Sequence, residues 1–186
     1  MLGPGYWART RAGALLLGAG GAARAIVAYM LSRDDRTNHP ASLVVVDRDP
    51  ARLNALQALA AHLATPTHVE FVLSAESAAN DELLDRLPSK SLVVNATGMG
   101  KDRPGSPLTD RAVFPQGSVI WELNYRGDLT FLRQARAQEA TRDLHVYDGW
   151  LYFVHGWTQV LGRVFNLNLS AEVVADLERL AAESVR

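Results

Sequence analysis

Cysteine is absent from the 186 residues, which excludes disulfides, thiolate metal sites and a cysteine nucleophile. That absence accords with a cytoplasmic protein, the location expected here. An excess of charge of one sign is also missing: 19 Lys+Arg stand against 20 Asp+Glu, a net charge of −1. A broad electrostatic footprint for nucleic acid is therefore excluded, and no nucleic-acid partner is expected. No window reaches the ~18 uncharged apolar residues of a membrane span, so no membrane partner is expected either. Arg9 and Arg11, followed by the apolar run 12–23, have the outline of a signal peptide. Gly13, Gly18, Gly20 and Gly21 weaken such a segment, and the run passes into Arg24 and a helical pattern without a pause. His39, His62, His68, His145 and His155 include no pair at helical metal-ligand spacing, and no metal is expected. Neither a G-x-S-x-G elbow nor a G-x-x-x-x-G-K-[ST] loop occurs.

What is present is ordinary globular material: 48% hydrophobic and 21% charged residues. A chain of this length makes one domain that buries roughly 70% of the surface its unfolded form exposes. Apolar runs alternate with helical periodicity. Residues 14–17 are apolar and stop at glycine, as a buried strand does. Ala23, Ile26, Val27, Met30 and Leu31 then mark one face of a helix. The polar stretch 33–41, with Asp34 and Asp35 expected in solvent, reads as a loop. Residues 43–46 form an apolar run without alternation, as in a strand covered on both faces. Asp49-Pro50 reads as an N-cap with proline at the first helical position. Further strands are expected at 69–73, 92–94, 119–123 and 145–147. Helices are expected at 81–87, 130–140 and 150–165, and a last one is capped by Ser170. The stretch 98–117 holds four glycines and three prolines and reads as a loop. Strand–helix alternation predicts a doubly wound, six-stranded parallel sheet of the Rossmann type with extra C-terminal helices. The expected division is a leader at 1–11, the dinucleotide-binding domain at 12–166, and a helix at 167–186 packed on that domain or on another lobe.

Ligands of such sheets bind at the carboxyl ends of the strands, near the switch point. Three segments fall there. Gly18-Ala19-Gly20-Gly21-Ala22-Ala23 fits G-x-G-x-x-A between a strand and a helix. Gly18 permits the tight turn, Gly20 lets a pyrophosphate approach the backbone, and Ala23 lets helix and strand pack closely. The helix N-terminus offers unpaired N–H groups to phosphate. The alternative is a glycine turn chosen for packing alone. Asp47 follows the second strand, 29 residues after Gly18, where the usual interval is ~20. A carboxylate there suits a ribose diol and favours NAD over NADP. Arg48 cuts the other way, by stacking on adenine or pairing with a 2′-phosphate, and Asp49 reads mainly as a helix cap. Asn95-Ala96-Thr97-Gly98 follows the fourth strand and can pass along the nicotinamide half; the alternative is a simple turn.

These residues resemble the shikimate and quinate dehydrogenases. The run from Gly18 to Ala25 looks like the cofactor turn of that family. Asn95-Ala96-Thr97 followed by Gly98-Met99 is similar to its Asn-Ala-Thr and Gly-Met segment, without the two residues usually between them. Glu122-Leu123-Asn124-Tyr125, then Thr130 and Leu132, resembles its strand ending in tyrosine, with Gly127 where proline is usual. Asp148-Gly149 precedes a helix, as in the family. The resemblance covers about residues 12–166 and implies the NAD(P)-binding lobe of an oxidoreductase that moves hydride between the cofactor and a cyclic hydroxy acid. It implies that Gly18, Ala19, Gly20, Gly21, Ala22 and Ala23 hold pyrophosphate and that Asp47 and Arg48 face the adenosine. It places Asn95, Ala96, Thr97, Gly98, Leu123 and Gly149 along the nicotinamide. Tyr125 would touch substrate; its alternative is an aromatic packed under the last helices.

Two departures qualify the likeness. The family's catalytic lysine and aspartate lie in a substrate lobe ahead of this region. No lysine precedes Lys90 here, and no catalytic residue is identifiable in this chain. A truncated piece, a split subunit and a stand-alone relative all fit, with a substrate-binding partner domain or a second copy as partner. On the helix after Gly149, Gly156 takes the place of a substrate-binding glutamine and Tyr152 that of a methionine. His155 beside it is a candidate substrate residue or a helix-surface histidine. Trp121, Trp150 and Trp157 are expected in core or interlobe packing. The alternative from another class is a non-catalytic dinucleotide-binding or sensing module that acts through a partner.

Overall fold

The computed structural model describes residues 1–32, 38–63 and 65–183. Most of the polar stretch expected as a loop, with Asp34 and Asp35, lies outside the described residues. The strands are β1 (Ala14–Leu17), β2 (Ser42–Asp47), β3 (His68–Leu73), β4 (Leu92–Asn95), β5 (Val119–Glu122) and β6 (His145–Tyr147). The helices are α1 (Tyr6–Thr10), α2 (Gly21–Leu31), α3 (Pro50–Ala61), α4 (Ser77–Asp85), α5 (Thr130–Arg142), α6 (Trp150–Val164) and α7 (Ala171–Glu183). All six strands pair in parallel, in the order β3-β2-β1-β4-β5-β6. This is the expected doubly wound sheet.

The apolar runs lack alternation because both faces are covered. Leu16, Leu43, Val45, Leu92 and Val94 face one core with Val27 and Leu31 of α2 and Leu53 and Leu56 of α3. Leu15, Leu17, Val44, Val46, Val93 and Ile120 face the other with Leu83 and Leu84 of α4 and Phe131 and Ala135 of α5. Period-2 geometry sends neighbours to opposite sides, so successive positions in the middle of these strands are apolar and polar residues fall at their ends. Asp49 caps α3 by accepting the Ala51 N–H at 2.9 Å, with Pro50 at the first turn.

Three segments differ from the periodicity. Residues 1–11 carry α1, whose Trp7 is buried in the α2–α3 core and gives its N–H to Asn38 Oδ1 at 3.0 Å. The Tyr6 hydroxyl donates to the Lys90 carbonyl at 2.6 Å. Helix α4 begins four residues before the expected 81–87, because its first turn is alanine and polar residues with no apolar rhythm to announce it. The 98–117 stretch has no helix, yet Leu108, Ala112 and Phe114 are buried. Side chains of α4 and α5 pair its backbone instead: Asn80 Nδ2 donates to Pro107 O at 2.9 Å, Asp81 accepts the Thr109 N–H at 3.0 Å, and Gln138 accepts the Phe114 N–H at 3.1 Å.

Candidate functional site

Strand β1 is flanked by β2 and β4, so the chain leaves it in opposite directions and a crevice opens at the carboxyl ends. A cavity of about 270 Å³ lies there, bounded by Gly18 after β1, Asp47 and Arg48 after β2, and Ala96, Thr97 and Gly98 after β4. Gly18 has φ +103°, and a Cβ on it would meet the Ala96 carbonyl oxygen at 2.8 Å. Only glycine lets the turns after β1 and β4 come this close. A Cβ on Gly20 or Gly21 would meet nothing within 4 Å, so the backbone there is open to approach. Helix α2 begins at Gly21 with no side-chain cap and no acid in its first turn. Its first N–H groups thus lack a competing acceptor, which is the condition for holding an anion.

Asp47 is 9% exposed, and both its oxygens are engaged. Oδ2 accepts the Ala19 N–H at 2.7 Å and Oδ1 the Asp49 N–H at 2.9 Å. The acid therefore ties the glycine turn to the end of β2 while lining the cavity. Three arginines line the same cavity, Arg48, Arg52 and Arg103. Arg52 lies 3.4 Å from Asp49 across one turn of α3. The sequence reading missed Arg52, which stands in the first turn of α3 and lines the cavity with Arg48. It also missed Asn80, which lines the cavity and whose Oδ1 is buried with no hydrogen-bond partner among the described residues.

The second half of the crevice is built by a buried polar network. Asn95 Nδ2 donates to Glu122 Oε2 at 2.8 Å, and Asn95 Oδ1 accepts the Thr97 N–H at 3.1 Å and hydroxyl at 2.6 Å. Glu122 is 0% exposed, and burial pushes its carboxyl up to about 7, against the pull of hydrogen bonds from Asn124, Asn95 and Leu123. Sequence reasoning quoted Glu122 only as part of a motif; the available signal was an acid closing an apolar strand beside Asn95. Gly149 packs on this end of β5: a Cβ there would overlap the Leu123 carbonyl and meet the Asn124 oxygen at 2.6 Å.

Tyr125 and His155 are not brought together. Tyr125 stacks on Phe153 of α6, with ring centroids 4.0 Å apart, and Lys101 Nζ lies 5.6 Å from its ring centroid. His155 points to α7 instead, where Nε2 sits 2.7 Å from Glu178 Oε1. Neither lines the cavity at the switch point. Trp121 is partly buried against Tyr152, and Trp157 is 54% exposed. Among the described residues no group of three or more His, Cys, Asp or Glu could hold a metal ion, and no helix is long and apolar enough to cross a membrane.

A glycine turn between strand and helix at the switch point of a parallel sheet defines a Rossmann-type α/β protein. No family model matches the chain. It is 40% identical to the shikimate dehydrogenase (NADP+) of Salinibacter ruber over 132 residues, which is 68% of this chain and 42% of that enzyme. It is 32% identical to the shikimate dehydrogenase (NADP+) of Methylocella silvestris over 182 residues, which is 96% of this chain and 56% of that enzyme. Its fold matches the quinate dehydrogenase of Corynebacterium glutamicum, solved with NAD, at a TM-score of 0.65 and 20% identity, over 92% of this chain and 55% of that one. The chain is thus related to the shikimate/quinate dehydrogenase family over the C-terminal lobe of its members. It spans about half the length of the curated relatives it matches.

Proposed function

We propose that this chain is the NAD(P)-binding lobe of a shikimate/quinate-dehydrogenase-like oxidoreductase that moves hydride between a nicotinamide cofactor and a cyclic hydroxy acid. The observation that carries this reading is the crevice where Gly18 of the glycine turn, Asp47-Arg48 and Ala96-Thr97-Gly98 bound one cavity. The residues fit the cofactor: open backbone at Gly20 and Gly21 and the uncapped start of α2 suit a pyrophosphate. In this reading Gly18 to Ala23 hold the pyrophosphate, with Asp47 keeping that turn in place. Arg48 and Arg52 face the adenosine. Ala96, Thr97 and Gly98 line the nicotinamide side, with Asn95, Leu123 and Gly149 shaping it from behind.

When bound, the nicotinamide supplies or accepts the hydride; the residues of this chain orient it and exclude water from one side. Tyr125, in its aromatic cluster beside Lys101, faces the ring of the substrate. A substrate lobe of the kind the resemblance implies supplies the proton-transfer pair. On cofactor choice the cavity favours NADP. Three arginines, one of them paired with Asp49, line it against one carboxylate already taken up by two backbone N–H groups. A 2′-phosphate gains charge-assisted hydrogen bonds from such a set.

Parallel titrations of the chain with NADPH and NADH, followed by tryptophan quenching, test both parts. NADPH is expected to bind more tightly. Arg48→Ala and Arg52→Ala should each weaken NADPH roughly 10-fold, the loss of one charge-assisted hydrogen bond, and leave NADH within about twofold. Tighter NADH binding would return the preference to NAD, and saturable binding of neither would overturn the cofactor reading.

A further inference from the structure

Glu122 ends β5 wholly buried and takes no part in the cofactor contacts proposed above. Its two oxygens meet only donors: Asn95 Nδ2 at 2.8 Å on Oε2, and the Asn124 N–H at 2.8 Å on Oε1. Asn95 is also wholly buried, and its amide is held one way round. Nδ2 faces two acceptors, the Glu122 carboxylate and the Met99 carbonyl at 3.5 Å. Oδ1 faces two donors, the Thr97 N–H and hydroxyl. Thr97 Oγ1 in turn accepts the Met99 N–H at 3.2 Å. Asn124 Nδ2 donates to the Met99 carbonyl at 2.9 Å, and its own carbonyl accepts the Gly149 N–H at 3.2 Å. Thr97 and Met99 both line the cavity.

A carboxylate only accepts hydrogen bonds, whereas a carboxylic acid must donate one. A proton on Oε2 would confront the Asn95 NH2 group. The conflict is relieved when Asn95 turns its amide over, and a turned amide presents NH2 to the two donors of Thr97. Thr97 then loses its acceptor. We propose that Glu122 is a positioning residue: as a carboxylate it locks the Asn95 amide and, through it, the Thr97–Met99 wall of the cofactor cavity, and on taking a proton it releases that wall. The proposal rests on the cofactor reading above.

Burial holds the Glu122 carboxyl at about 7, so this exchange falls within the ordinary working range of pH. No charged side chain contributes to that shift. Across the sheet the facing group is Asn95 of β4, and beyond β5 it is Asn124. Of the charged groups near this end of the sheet, Lys101 lies on Asp102 at 3.3 Å and over the Tyr125 ring, and Arg126 on Asp102 at 3.2 Å.

The test is NADPH titration of the wild-type chain and of Glu122→Gln from about pH 6 to about pH 8, beside NMR of the cofactor-free proteins. Wild-type affinity is expected to fall ~5–10-fold from the top to the bottom of that range, the loss of one buried hydrogen bond. Glutamine keeps the shape but cannot ionise, so Glu122→Gln should bind at a weaker level from which this fall is missing. Any slope due to the 2′-phosphate, which itself titrates near pH 6, or to histidines is common to both proteins. In the cofactor-free wild type, the Asn95 side-chain amide and the Thr97 N–H should titrate together with a midpoint near 7, and in Glu122→Gln they should not. Equal slopes in the two proteins, or Asn95 and Thr97 signals that stay flat through pH 7, would overturn the proposal. If the wild type binds neither nucleotide at any pH, the cofactor reading fails, and the NMR titration still decides whether Glu122 controls Asn95. If Glu122→Gln does not fold, the wild-type NMR titration decides alone.

Discussion

Asp47 and Glu122 are both acids at strand ends, and their surroundings give them different work. Asp47 accepts two backbone N–H groups and so ties the glycine turn to the end of β2. Glu122 is wholly buried, hydrogen-bonded by Asn95 and Asn124, and has no cation among the causes of its shift. Its carboxyl ionises at about 7 in the folded chain, against an ordinary 4.5. Between those values the folded chain keeps a proton that the unfolded chain has lost, so this group makes stability fall as pH rises from about 4.5 to about 7. Its contribution is present in full below that window and is gone above it. The size is up to ~3 kcal/mol. Urea unfolding at about pH 5 and about pH 8 should show this decline in the wild type, and Glu122→Gln should flatten it. Affinity for cofactor runs the other way, strengthening as the same proton leaves. Gly18 is the second residue with a sharp expectation. Gly18→Ala combines a left-handed backbone with a collision at the Ala96 carbonyl, and should cost ~2–4 kcal/mol in thermal or chemical unfolding. An unchanged midpoint would mean that the β1 and β4 turns can separate without loss.

At the scale of elements, helices that cover the sheet contrast with the pair that does not. Helices α2 to α5 each bury apolar side chains against a strand layer. Helix α7 has no buried residue and packs on α6, tied by the His155–Glu178 contact. Backbone amides of α7 should therefore exchange with solvent first, near the rate of local opening, and those of β1 and β4 last. Hydrogen exchange read by mass spectrometry checks this; protection of α7 equal to that of β1 would show that it is anchored more firmly than its contacts imply. The same contrast explains which elements the sequence announced. Runs such as 14–17 and 43–46 are legible because two-sided burial leaves no room for a polar residue. Helix α1 was not legible, since a single turn around Trp7 has no period to detect, and its place depends on a partner, Asn38, thirty-one residues away.

Across the whole molecule, apolar surface is unevenly shared. Trp157, Val160, Val164 and Phe165 of α6 and its end, with Leu177 and Leu180 of α7, are exposed on the two packed helices. A patch of this kind favours association or dye binding. A hydrophobic dye should bind the isolated chain, and Val164→Glu with Phe165→Gln should lower its signal severalfold while the NADPH affinity stays within about twofold. No change in dye signal would place the accessible apolar surface elsewhere, for instance in the groove of about 590 Å³ beside Trp7, Tyr29 and Trp121.

Local sequence was enough to specify the strand–helix alternation and, with it, the parallel sheet and the location of a crevice. Period-2 and period-3.6 burial act over a few residues, and a glycine turn is a local backbone demand. What the residues at the crevice do to one another was a matter for three-dimensional packing. Asp47 reaches the Ala19 N–H across 28 positions, and Glu122 reaches Asn95 across 27. His155 turns to α7 rather than to Tyr125, three residues before which Glu122 lies concealed in an apolar strand. Hydrogen bonds and desolvation depend on distances that only the paired strands bring about. For that reason the sequence could mark Asn95 and Thr97 as a site wall, but could not show that a buried carboxyl holds that wall in place.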